Sequence, residues 1–388
     1  MHNSNPQAVD VVVIGGGVIG LAVGWYACRS GLDVIVLDRH QPGHAASYVA
    51  AGMLGPIAEA TAGEEPLLEL GLASALAYPS FVAQLTSASG TPDIGYRECG
   101  TLLVARDRDD AEALQRELEL RHRFGLRVER LLASEARRRE PALAPTLRLA
   151  LDVPDDHAID PRRLTAALTA ALTTAGGRVA PGTRASALAL RDGRACGVQL
   201  GDGTLLAAER VVIAAGAWCD EIDGIPPPAR VSVRPVKGQI LRLHDPAGPG
   251  LLDHVVRMPS GSYIVPRGDG RYVIGATTEE RGFDTSFTAG AAFELLRDAG
   301  ELVPGISELV IDELSAGLRP GTPDNLPVIG ATEVPGLLWA AGHRRNGILL
   351  APITAQLVTD ALLGKPPSEL AQAFAQTRFH RAPLGSAT

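Results

Sequence analysis

Residues 9–38 read VDVVVIGGGVIGLAVGWYACRSGLDVIVLD, and this stretch decides the fold. VDVVVI is a β-branched run suited to a strand buried on both faces of a parallel sheet. Glycines 15, 16, 17 and 20 follow, then a helix closed by Gly31, then a second strand, DVIVLD, ending in an acid. In that context the glycines have separate roles. Gly15 allows a tight turn, Gly17 lets backbone approach a pyrophosphate, and Gly20 lets helix and strand pack closely. The helix start turns unpaired N–H groups and a positive dipole end toward phosphates, and Asp38 is placed to accept from ribose hydroxyls.

The fingerprint fits a nicotinamide or a flavin dinucleotide. Two features lean toward FAD. Only one fingerprint is present, and residues 43–56, GHAASYVAAGMLGP, are small enough for backbone to approach a bulky planar ligand closely.

With 388 residues the chain exceeds the size at which a single core stops growing, so two domains are expected. A 46% hydrophobic and 21% charged composition is that of a globular protein. The net charge of −8 without a basic stripe argues against nucleic acid, and an anionic substrate needs locally placed cations. Cys28, Cys99, Cys196 and Cys219 are widely separated, with no histidine at zinc-ligand spacing, so neither a metal nor a disulfide framework is expected. No apolar run approaching a bilayer span is read, and residues 1–10 do not resemble a leader, giving the expectation of a cytoplasmic protein without membrane contact. Only Lys237 and Lys365 are lysines, so an arginine is informative here only among apolar neighbours.

Further along, helices are expected near 65–88, 108–124 and from Pro161 to Gly176, with a hairpin turning at Asp192-Gly193. EARRRE, residues 135–140, reads as a solvated helix face. ERVVIAAGAW returns to the first sheet, and VSVRPVKGQILRL, GSYIVPR, RYVIGATT and LVIDELSAGLRP read as an antiparallel sheet with a helix near 290–302. The expected architecture is α/β: a Rossmann-like FAD-binding domain (1–90, 151–228, 319–388) interleaved with an antiparallel-sheet substrate domain (91–150, 229–318).

VVVIGGGVIGLA, VAAGMLGP, GSYIVPR, VIGATT, AGLRPGTPDNLPVIG and AAGHRRNGILLAP, in this order and at these spacings, resemble the D-amino-acid oxidase superfamily, and within it the bacterial glycine oxidases. The resemblance covers the chain up to about residue 370. It implies non-covalent FAD, an antiparallel sheet roofing the flavin, a homotetramer, and oxidation of glycine, sarcosine and small D-amino acids with reduction of O2 to peroxide. Residue by residue, it implies that Tyr263 and Arg319 hold the substrate carboxylate, with Arg345 beside them and Arg344 at the rim. It sets FAD against Gly15, Gly17, Val18, Ile19, Gly20, Asp38 and Arg39, then Ala46, Ser47, Ala50, Ala51, Gly52, Met53 and Leu54. Ala185, Ala215, Gly216 and Trp218 follow, and finally Gly342, His343, Arg344, Arg345, Asn346, Gly347, Ile348 and Leu349.

Without the resemblance, Tyr263 also reads as a half-buried sheet aromatic and Arg319 as a surface arginine before a turn. Lys237 could activate oxygen, although a structural role is favoured. Ser260-Gly261-Ser262 and Thr278 depart from the glycine oxidase pattern, which loosens the expectation of glycine over another small amino acid.

Overall fold

The computed structural model describes residues 8–380 except Ala247 and Pro249. Two eight-stranded sheets organise it. The first runs in the order Val328–Ala331, Leu337–Ala341, Leu205–Ile213, Val9–Ile14, Val34–Leu37, Arg178–Ala180. These six are parallel except the first, which runs antiparallel to Leu337–Ala341 at the edge, and two further strands, Ala185–Arg191 and Arg194–Leu200, join antiparallel through Leu205–Ile213. Val9–Ile14 lies centrally with five of six residues buried, as a β-branched run covered on both faces must. Helices Val18–Arg29 and Gly347–Leu362 pack against this sheet with Pro161–Thr174, whose Asp160 side chain caps the backbone N–H groups of Arg162 and Arg163. The hairpin Ala185–Arg191/Arg194–Leu200 turns at Asp192 (φ 50°) and Gly193 (φ 74°), the two positive φ angles of a two-residue turn.

The second sheet runs Val310–Gly321, Arg234–His244, Arg271–Gly275, Tyr263–Pro266, Val255–Arg257, Thr101–Ala105, Leu149–Val153, Glu129–Leu132. It is antiparallel apart from the pair Val255–Arg257/Thr101–Ala105, which is parallel. The expected cuts at 150/151 and 318/319 fall inside Leu149–Val153 and Val310–Gly321, because each strand continues in this sheet past the predicted boundary.

Two sequence expectations change. Glu65–Ser89 is long and apolar enough, by length and composition, to cross a membrane. Here it lies against the helix Gly347–Leu362, where Ser74 and Tyr78 donate at 2.6 Å to the Leu349 and Ile348 carbonyls respectively. EARRRE is only partly solvated. Glu140 is 2% exposed, accepts from the backbone N–H groups of Asp253 and His254, and meets His254 Nδ1 at 2.6 Å.

Candidate active site

Between the two sheets lies a cavity of about 540 Å³, within the range of small-molecule sites. One end is built by the glycine loop. A Cβ on Gly15 would stand 2.3 Å from the Ala214 carbonyl oxygen, and one on Gly20 would stand 1.9 Å from that of Gly15. Gly20 therefore serves helix–strand packing and does not line the cavity, whereas Gly15, Gly17, Val18 and Ile19 do. At the start of helix Val18–Arg29, Val18 N–H is met by Ser47 Oγ at 3.0 Å and Leu21 N–H by the Gly17 carbonyl, while those of Ile19 and Gly20 meet no partner among the described residues. This helix start, open on a cavity, fits a pyrophosphate. The acid at the end of the second strand also braces the loop, since Asp38 Oδ2 accepts from Gly16 N–H and Oδ1 from His40 N–H, both at 2.8 Å. Each oxygen keeps a lone pair for a ribose hydroxyl.

The same end holds Arg39, stacked 4.4 Å over the Trp218 ring and paired with Glu221 at 3.0 Å, together with Ala185, Ala215 and Gly216. Along the middle run Ala46, Ser47, Ala50, Ala51, Gly52 and Met53; Leu54, expected there, is buried in the core beneath. At the far end His343, Arg344, Arg345, Gly347 and Ile348 reach the cavity, while Gly342, Asn346 and Leu349 do not line it. Gly342, at φ 75°, packs on Thr322, and Leu349 points into the core.

The roof comes from alternate residues of the second sheet. Val236, Gly238 and Ile240 face the cavity, so Lys237 faces away. It is 1% exposed and bonds Asp284 at 2.7 Å, in keeping with a structural role. Two glycines let large polar side chains lie flat on this roof. A Cβ on Gly238 would stand 2.2 Å from Arg319 Nη1, and one on Gly275, the cross-strand partner of Tyr263, would stand 2.5 Å from the phenol oxygen. Arg319 donates only to the Lys237 and Thr277 carbonyls, at 3.3 and 3.0 Å, and no carboxylate among the described residues pairs with it. Burial raises the Tyr263 phenol above its ordinary pKa, partly offset by Arg319. It therefore stays a neutral donor.

The two adjacent arginines both line the cavity and differ in their partners. Arg345, expected to face substrate, is tied to Glu59 at 3.3 Å and Glu64 at 3.5 Å. Arg344, expected at the rim, has no ion-pair partner among the described residues and adopts φ 45°; burial and then Arg345 lower its pKa. Glu59 also pairs with Arg257 at 3.1 Å. Neither Glu59 nor Arg257 was expected, and nothing local marks them; Val236, Gly238 and Ile240 were legible from strand alternation. The departure positions Ser260, Gly261 and Thr278 also line the cavity. Among the described residues no cysteine does.

The family described as FAD-dependent oxidoreductase (DAO) matches residues 10–361. The chain belongs to this family. The cavity of this FAD-dependent oxidoreductase, roofed by the second sheet, is the candidate cofactor site. The chain is similar to the bifunctional protein ThiO/ThiG of Synechocystis sp., 37% identical over 95% of this chain, and spans about half (54%) of that protein's length. Similarity to the glycine oxidase of Geobacillus kaustophilus is 36% over 95% of this chain and 97% of that protein. The crystal structure of that oxidase superposes with a TM-score of 0.88 at 36% identity, covering 96% and 99% of the two chains. The hydrogen cyanide synthase subunit HcnC of Pseudomonas aeruginosa is 30% identical over 98% of this chain and 99% of its own length.

His343 supplies a pH prediction for this flavoenzyme. Its ring, 4% exposed, meets only Thr354 Oγ1, at 3.0 Å, and burial drives its pKa down to about 3. The unfolded imidazole titrates near 6.5. Between these values the unfolded chain binds one more proton. The contribution is therefore complete above pH 6.5 and is lost as pH falls, by about 1.4 kcal/mol per unit. Chemical unfolding between pH 7 and 4 should show His343→Gln losing less stability than wild type by that slope. Parallel profiles would show that His343 titrates normally.

Proposed function

We propose that the enzyme is an amino-acid oxidase acting on glycine, sarcosine and small D-amino acids, forming the imine and reducing O2 to H2O2, in the service of thiamine thiazole synthesis. The observation that carries this reading is Arg319, laid flat across Gly238 beside Tyr263 in the cavity roof without an acidic partner among the described residues. A guanidinium so placed offers a two-pronged donor to a carboxylate, and a neutral phenol adds a directional bond. The similarity to glycine oxidases over nearly their full length supports the same reading.

FAD, when bound, supplies a two-electron acceptor. The protein's part is orientation: Arg319 and Tyr263 fix the carboxylate, which sets the direction of the α-carbon's C–H bond. His343 is engaged with Thr354 and burial lowers its pKa to about 3, so this imidazole is not the base that deprotonates the amine, and no protein base is needed when the amine enters neutral. Arg344 adds a second cation at the junction of cofactor and substrate regions. Cavity walls free of cysteine among the described residues support a non-covalent cofactor. A homo-oligomer and a cytoplasmic location belong to the same proposal.

The 30% identity to a protein named as a hydrogen cyanide synthase subunit leaves room for an alternative to the oxidase, and the second reading is a D-amino-acid dehydrogenase that passes electrons to a quinone. Anaerobic mixing of the holoenzyme with glycine, sarcosine, D-alanine and D-proline tests both. Bleaching of the flavin followed by peroxide on readmitting air is expected. Bleaching without peroxide would favour the dehydrogenase, and no bleaching by any of the four would sink both.

A further inference from the structure

Two half-buried arginines, each with its Nε fully enclosed, stand behind the cavity wall without lining it. Arg242 Nη2 donates to the carbonyl oxygens of Tyr48 at 2.9 Å and of Val49 and Ala50 at 3.4 Å. Arg267 Nη2 donates to the Ala51 carbonyl at 2.8 Å, and its Nη1 to that of Ile159 at 3.1 Å. No carboxylate lies within ion-pair distance of Arg267 among the described residues, whereas Arg242 reaches Glu313 at 3.9 Å. In both, Nε is buried and meets no hydrogen-bond partner among the described residues. An unpaired buried cation is costly to keep, so its position calls for a reason.

The reason lies on the other side of two peptide units. Both peptides, Ala50–Ala51 and Ala51–Gly52, are trans, so carbonyl and N–H point in opposite directions. With the Ala50 and Ala51 oxygens held by the arginines, the N–H groups of Ala51 and Gly52 point the other way. Both residues line the cavity, and neither N–H has a hydrogen-bond partner among the described residues. A hydrogen bond accepted at a carbonyl polarises its peptide and strengthens the N–H at its far end, the more so in low dielectric. Burial, foremost, lowers the pKa of both arginines, of Arg267 to about 10; both remain charged at neutral pH.

We propose that Arg242 and Arg267 are positioning residues that act through these two peptide units. They turn the Ala51 and Gly52 N–H groups into strengthened donors toward bound FAD and favour its reduced state over its oxidised one. FAD gains two electrons, and at most two protons, on reduction; with one proton it carries one added negative charge, which oriented donors stabilise. The proposal rests on FAD occupying the cavity but not on which amino acid is oxidised. It is read with dithionite as reductant, so failure of every amino-acid substrate leaves its test intact.

The test is the midpoint potential of the holoenzyme, titrated against an indicator dye, in wild type, Arg267→Met, Arg267→Lys and Arg242→Met. Arg267→Met is expected to lose about tenfold in preference for reduced over oxidised FAD, a shift of about 30 mV to more negative potential for this two-electron couple. Arg242→Met should shift in the same direction, and Arg267→Lys, which keeps the charge, should shift less than Arg267→Met. Unchanged midpoints in the methionine variants with FAD fully bound would overturn the proposal. Equal shifts in Arg267→Lys and Arg267→Met would do the same, because charge would then not matter. Should Arg267→Met fail to fold, Arg242→Met decides by itself: a negative shift sustains the proposal and an unchanged midpoint overturns it.

Discussion

Replacing Arg319 by alanine is expected to raise the Michaelis constant for the amino-acid substrate steeply while FAD stays bound. Truncating one member of a buried charge-assisted pair costs about 2 to 5 kcal/mol, which is roughly thirtyfold to several-thousandfold in kcat/KM. The present contacts of Arg319 explain why the cofactor should survive. Its hydrogen bonds go to carbonyls of the second sheet, at Lys237 and Thr277, and the backbone of the roof is tied by its own ladder. Steady-state kinetics together with the flavin absorbance of the purified variant check both halves of the expectation. An unchanged Michaelis constant would mean that the carboxylate is held elsewhere, with Arg344 the next arginine to truncate.

The second large effect concerns stability. Arg121 is 1% exposed on the helix Arg108–Arg123, where its guanidinium donates to the Ile57 carbonyl at 2.9 Å and the Ala58 carbonyl at 2.7 Å. It also reaches Glu117 at 3.2 Å. From the opposite side Asp156, fully buried, accepts from the N–H groups of the same two residues, at 3.1 and 2.6 Å. One backbone turn is thus held by its carbonyls and by its amides. Arg121→Met should leave the two buried carbonyls of Ile57 and Ala58 without their donors, at a cost of about 3 to 5 kcal/mol. Denaturant unfolding of the holoenzyme measures this, and a loss below about 1 kcal/mol would show that water replaces the guanidinium. The next residue, Glu59, bridges Arg257 and Arg345 at the cavity, so loosening of the turn should also weaken substrate binding.

What the residues alone disclose divides along physical lines. The glycine loop, the helix behind it and the hairpin at Asp192-Gly193 are local: their geometry is dictated by residues a few places apart. Strand alternation around Lys237 was equally available, and it separates Val236 and Gly238 from the lysine between them. The division between Arg344 and Arg345 was not legible, because it is decided by Glu59 and Glu64, some 280 positions earlier. Nothing local in the sequence sets Arg121 apart from the other charged residues of its helix. Its burial depends on where residues 57–58 cross, and Glu140 at the end of EARRRE was hidden for the same reason, its partners lying at 253 and 254. Gly238 and Gly275 carried a usable signal, a glycine beside or opposite each polar residue of the roof, which is interpretable once strand pairing is known.

The central strand Val9–Ile14 has as neighbours Val34–Leu37 and Leu205–Ile213, and the helix after it packs on Gly347–Leu362. This arrangement constrains how the protein can be made on a ribosome. The phosphate loop emerges within the first twenty residues, yet the opposite end of the cavity, His343 to Ile348, emerges more than three hundred residues later. At about 5 to 20 residues per second, tens of seconds separate synthesis of the phosphate loop from synthesis of the far wall. A complete flavin site therefore requires that residues 343–348 have been made, so the cavity closes more than three hundred residues after its phosphate loop.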